Sequence, residues 1–199
     1  MGLRDKLMGR ASRLPPQLRA MTSPDPVFLG KFLVFSLLES RFGLSEHEVD
    51  GCVAELPEEL KDLGKFWAKL YLAWIFRMCV RDKYGDAFTG KMMSEVDVLM
   101  SRAQELSGEE NDLRNVFTFW FAKIDAVMPM AGKTIYGQVV PFEVFAAFAF
   151  LVSDSSSPYF NQTPTNMVEF DVASALIKVK EKTLPSLQRA IEISAPVEG

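Results

Sequence analysis

Residues 66–78 read FWAKLYLAWIFRM, and nine of these thirteen positions carry large apolar side chains. A helix of 3.6 residues per turn that is apolar on every side has no face to give to water, so it is expected inside. Two further stretches read the same way. Leu113, Val116, Phe117, Phe119, Trp120, Phe121, Ile124 and Val127 go almost all the way round one helix. Phe142, Val144, Phe145, Phe148, Phe150 and Leu151 go round another, with Ala146, Ala147 and Ala149 allowing close approach. These three segments are the expected central rods, with the rest packed around them. Sixteen phenylalanines against four tyrosines and three tryptophans point to a bulky, dry core, because Phe has no polar atom to satisfy.

Working outward, Gly and Pro divide the chain into helix-length pieces. Pro15-Pro16 stops a first segment, 3–14. Pro24-Asp25-Pro26 opens a helix to about Phe42, with Gly43 suited to its C-terminal cap. Ser45 with Glu48 three residues on is a capping box for a short helix through Ala54. Pro57 starts a long helix that stops at Gly85, and Asp86 caps another to about Leu106. Helices are expected from about Glu109 to Val127 and from Pro141 to about Val152, with Thr134–Val140 between them as a short extended piece. Ser153–Pro164 reads as loop. A last helix covers about Thr165–Lys182, and Pro185 breaks or kinks it before Ile193. The pattern predicts an all-α fold: a single compact bundle of seven or eight helices over 21–199, with a separate N-terminal amphipathic helix in an arm, 1–20.

Composition bounds the chemistry. At 199 residues, folding buries roughly 70% of the unfolded surface, so no covalent staple is required. Cys52 and Cys79 read as free thiols in a reducing compartment. No apolar run approaches the ~20 residues of a membrane span, and the basic start lacks the apolar stretch of a secretory signal. Both features point to the cytoplasm. A single histidine, His47, sits between two carboxylates and reads as a solvated first-turn residue. With one His and two Cys, metal sites, cofactor ligation and His-based acid–base catalysis are starved of ligands, so neither a metal nor a cofactor is expected. Gly132-Lys133-Thr134 lacks the glycine that a phosphate loop needs five residues earlier, since Val127 stands there.

The net charge of −4 is unevenly placed. Residues 1–20 hold Arg4, Lys6, Arg10, Arg13 and Arg19 against Asp5 alone, a balance of +4. Leu3, Leu7, Ala11 and Leu14 make an apolar stripe on this basic arm. Leu3, Arg4, Leu7, Arg10 and Leu14 are therefore candidates for contact with a partner protein, weakly with an anionic membrane, or with the acidic body of the same chain. The body is too acidic to suggest nucleic acid. Inside the apolar blocks, Arg77, Lys123, Asp125 and Glu143 are the candidate pocket residues: a charge that faces the interior must pair. If a core pair forms, Glu143 is one member and Arg77 or Lys123 the other.

Without catalytic groups, the leading expectation is a non-enzymatic soluble protein acting through protein–protein contact, as an adaptor, regulator or chaperone-like module. The alternative is a carrier or sensor that holds a small hydrophobic or amphiphilic ligand in a Phe-rich cavity. An exposed apolar patch favours the first. An enclosed cavity of ~300 Å³ walled by Glu143, Arg77 or Lys123 favours the second.

Overall fold

The computed structural model describes residues 25–37, 41–107, 113–135 and 138–193. They are mostly helical: α1 (Pro26–Phe35), α2 (Glu46–Val53), α3 (Lys61–Ser107), α4 (Leu113–Val127), α5 (Phe142–Ser153) and α6 (Asn166–Ile193). A two-residue antiparallel ribbon, β1 (Thr134–Ile135) with β2 (Gln138–Val139), links α4 to α5.

Local chemistry sets the boundaries. Asp25 caps α1 by accepting the Val27 amide at 2.9 Å, with Pro26 following at the first helical position. Ser45 and Glu48 form the reciprocal capping box at the start of α2, the Glu48 amide donating to Ser45 Oγ at 3.2 Å and the Ser45 amide to Glu48 Oε2 at 2.8 Å. A 3-10 turn, Glu58–Leu60, leads into α3. Gly85 breaks α3 with φ 82° and ψ 173°, a backbone region essentially reserved for glycine.

α3 is the axis of the fold. It packs against α1, α2, α4 and α6, while α5 lies on α4 and α6. The fully buried large side chains include Trp67, Leu70, Tyr71, Leu72 and Phe76 from α3, Leu29 and Leu33 from α1, Ile124 from α4 and Phe150 from α5. Gly30 of α1 sits so close to α3 that an added Cβ would lie 3.0 Å from the Glu95 Cβ and 3.1 Å from the Met92 carbonyl.

Several expectations are corrected. Six helical elements span the described residues, and α3 is two helices joined at the break that the sequence predicts at Gly85; the expected N-terminal helix lies outside them. α4 is not an inner rod: Arg114, Thr118, Phe119, Ala122 and Asp125 face solvent, so only one side of it packs. The phenylalanines do not fill the core either. Phe42, Phe76, Phe121 and Phe150 are buried, whereas Phe28, Phe35, Phe66, Phe119, Phe148, Phe160 and Phe170 are exposed. Tryptophan, tyrosine and leucine do more of the filling. α1 is α-helical to Phe35 and passes into a π turn at Ser36 and Leu37; residues 38–40 lie outside those described, and Phe42 takes a left-handed conformation (φ 59°) beside Gly43. α6 runs past Lys182 with Pro185 inside it. Pro185 has no N–H to donate and crowds the preceding turn. There Thr183 Oγ1 donates to the Val179 carbonyl at 2.6 Å.

Candidate functional site

Trp67, Tyr71 and Trp74 follow one another on α3 at spacings of four and three, which puts them on one face. Each has an apolar body and one polar atom, and each polar atom finds a carboxylate from another element. Trp67 Nε1 donates to Asp154 Oδ2 at 3.0 Å, at the C-terminal cap of α5. Tyr71 Oη donates to Glu143 Oε1 at 2.7 Å, in the first turn of α5. Trp74 Nε1 donates to Asp125 Oδ1 at 2.8 Å, on α4. Arg77, three residues further on, donates to the same Asp125 oxygen. Ring contacts run alongside: Trp67 stacks on Phe150 at 5.7 Å and Trp74 on Phe142 at 5.2 Å between centroids. This ladder ties α3 to α4 and α5, and buried polar atoms satisfied in this way cost little.

Glu143 is the most deeply placed carboxylate of the ladder, its side chain 5% exposed. Lys180 of α6 donates to the oxygen that accepts from Tyr71. Burial opposes the ionised form, but the hydrogen bonds from Lys180 and Tyr71 outweigh it and hold the carboxyl below its ordinary value. Burial, with the Glu143 charge and hydrogen bond added, pushes the Tyr71 hydroxyl far up, so it stays a donor.

The four pocket candidates are thus only partly brought together. Arg77 and Asp125 pair with each other. Glu143 pairs with Lys180, not with Arg77 or Lys123, because α5 lies along α6 and Lys180 is the cation that reaches it. Lys123 lies over the Phe119 ring at 5.3 Å, out of the core. Leu3, Arg4, Leu7, Arg10 and Leu14 lie outside the described residues. Sequence reasoning missed Trp67, Tyr71, Trp74, Asp154 and Lys180. The signal is present for the first three: buried indole and phenol groups need acceptors, and their helical spacing demands that those acceptors lie along one line.

The Arg77–Asp125 pair forms one wall of an open cleft between α4 and the part of α3 beyond Gly85. The cleft holds about 330 Å³. Its apolar lining comes from Met93, Val96, Met100, Phe117 and Phe121. Arg114 faces Asp97 across it at 3.7 Å, and the Arg77 guanidinium lies 4.9 Å from the Phe121 ring centre. The rim therefore carries two cations and two anions around an apolar floor. Both Cys52 and Cys79 are free, and burial raises both thiols, which keeps them protonated. Among the described residues, no three His, Cys, Asp or Glu side chains gather as a metal site would need, and no helix is long and apolar enough to cross a membrane. Comparison with family models, curated proteins and solved structures finds no match to this chain.

Proposed function

We propose that this chain is a non-enzymatic helical protein of the cytoplasm that binds another protein, as an adaptor, regulator or chaperone-like module. The cleft between α3 and α4 is its binding groove. The observation that carries the reading is the cleft itself: open, floored by Met and Phe, and rimmed by the Arg77–Asp125 and Arg114–Asp97 pairs. Methionine-lined grooves adapt to varied apolar shapes, and an amphipathic helix can lay its apolar anchors into such a groove while its own charges meet the rim.

One observation favours a second reading, a carrier or sensor of a small amphiphile. The cleft volume of about 330 Å³ lies at the lower end of the range for small-molecule sites, and Arg77 and Arg114 could meet an anionic head. The ligand would then sit in this open cleft rather than in a Phe-rich core, where Glu143 is already engaged by Tyr71 and Lys180.

The deciding experiment is selection of peptides from a random display library on the full chain, followed by NMR mapping of the selected peptides. The reading requires perturbations concentrated in 93–100 and 114–125. Selected peptides that map elsewhere, or a fatty-acid ligand that displaces them at equimolar amounts, would overturn it.

A further inference from the structure

The α3–α4 cleft is walled by both lengths of α3. Arg77 stands before the break at Gly85, while Met93, Val96, Asp97 and Met100 stand after it. The two lengths are held differently. The first is tied to α4 and α5 by hydrogen bonds from Trp67, Tyr71, Trp74 and Arg77. Its end is fixed to α6 by Tyr84, whose hydroxyl donates to the Ile191 carbonyl at 3.0 Å. The second length, 86–107, rests on α1 at Gly30, where an added Cβ would lie 3.1 Å from the Met92 carbonyl and 3.0 Å from the Glu95 Cβ. Position 30 has no side chain to interlock with its neighbour, so the two helices meet on a surface along which they can slide. Across the cleft, Arg114 meets Asp97 at 3.7 Å with both side chains about half-exposed, and such a pair restrains little. Across the break, Arg81 meets Asp86 at 3.6 Å in the same exposed setting. The Tyr84 and Phe88 rings lie 4.7 Å apart beside the break, where they have little leverage on the far end.

Gly85 itself has open space around it, so its torsions can change without a clash. α1 touches both lengths: the Phe32 ring lies 5.3 Å from Phe76 before the break, and Gly30 lies on 92–95 after it. The side chains that 86–107 turns inward include Met92, Met93 and Met100, which are unbranched and repack readily over a small displacement. We propose that residues 86–107 are a movable jaw of the cleft, hinged at Gly85 and sliding on α1, that closes on a bound helix. This rests on the reading of the cleft as a binding groove, and adds the motion by which the groove fits its partner. The fixed side is α4, held to the ladder through Asp125 and carrying Phe117 and Phe121. Closure brings Met93, Val96 and Met100 up to apolar anchors that already rest on those two rings.

The test is double electron–electron resonance on the full chain, with spin labels on genetically encoded keto residues, which leaves Cys52 and Cys79 in place. One pair replaces Ser94 and Ala126, both exposed, on the jaw and on α4. The reference pair replaces Ala126 and Glu181, on α4 and α6, also exposed. Without peptide, the 94–126 distances should spread more widely than the 126–181 distances. A peptide selected on the cleft should draw the 94–126 distances together and leave the reference pair unchanged. Gly30→Val lies outside the cleft lining and pushes on the jaw from α1. It should move the 94–126 mean and weaken such peptides about threefold to tenfold, with the 126–181 distance showing that the rest of the fold is intact. A 94–126 distribution as narrow as the reference, and unmoved by peptide, would overturn the jaw even if the peptides bind in the cleft. Distances that spread without peptide while the selected peptides map elsewhere would support the hinge and sink the binding reading instead.

Discussion

Tyr71 and Glu143, 72 residues apart in the chain, meet at 2.7 Å in the interior, with Lys180 completing the contact from a third helix. One hydroxyl, one carboxylate and one ammonium thus join α3, α5 and α6. Tyr71→Phe leaves the Glu143–Lys180 pair intact and should cost about 1 kcal/mol of stability. Glu143→Gln leaves Lys180 without its counter-charge and should cost about 2–3 kcal/mol, tempered because Lys180 is partly exposed. Urea denaturation at neutral pH measures both. The double variant should fall short of the sum by at least ~0.5 kcal/mol, because the two groups share one interaction.

The same carboxylate sets an acid limit. The pKa of Glu143 is held below its ordinary 4.5 in the folded chain. The unfolded chain therefore takes up this proton first as pH falls, and the contribution of Glu143 to stability is full above about pH 4.5 and lost as pH drops through the lower folded value. A urea midpoint followed from pH 7 to pH 3 should decline at the acid end. Glu143→Gln should flatten that decline.

Gly85 carries a strict backbone demand with open space around it: nothing lies within 4 Å of an added Cβ. Gly85→Ala therefore tests torsion alone. At φ 82° and ψ 173° it should cost about 1–3 kcal/mol, read as a Tm several degrees lower by calorimetry. An unchanged Tm would mean that the break is not held in this conformation.

The cleft between α3 and α4 can be filled without touching the core. Thr118 and Ala122 line it and are exposed. Ala122→Trp should leave stability within about 0.5 kcal/mol of the parent. It should weaken peptides selected on this cleft by roughly tenfold, the equivalent of about 1.4 kcal/mol. Isothermal titration against both proteins checks it.

The all-helical class is legible in the sequence, and so are most helix ends, because Asp25-Pro26, Ser45 with Glu48, and Gly85 act locally. The placement of α4 is not. Its Phe119, Trp120 and Phe121 read as apolar on every side, but three adjacent residues of a helix spread over most of its circumference, and only two of them are covered by neighbours. Arg77 and Asp125 stand out in the sequence as charges needing company, and they have each other. The partner of Glu143 is not legible: Lys180 reads as a favourable charge near a helix end, and nothing local says that α6 continues through Pro185 or lies along α5. Aromatic count misleads as well, since Phe28, Phe35 and Phe170 stay exposed.

The break at Gly85 has a bearing on how the molecule comes apart. The ladder from Trp67 to Arg77 lies wholly on one side of it, while residues 86–107 lean on α1 and α4. Amide protons beyond the break can therefore exchange through a partial opening that leaves the ladder shut. Hydrogen exchange on either side of Gly85 measures whether the two lengths of α3 open as separate units, with the Arg77–Asp125 wall of the cleft on the ladder's side.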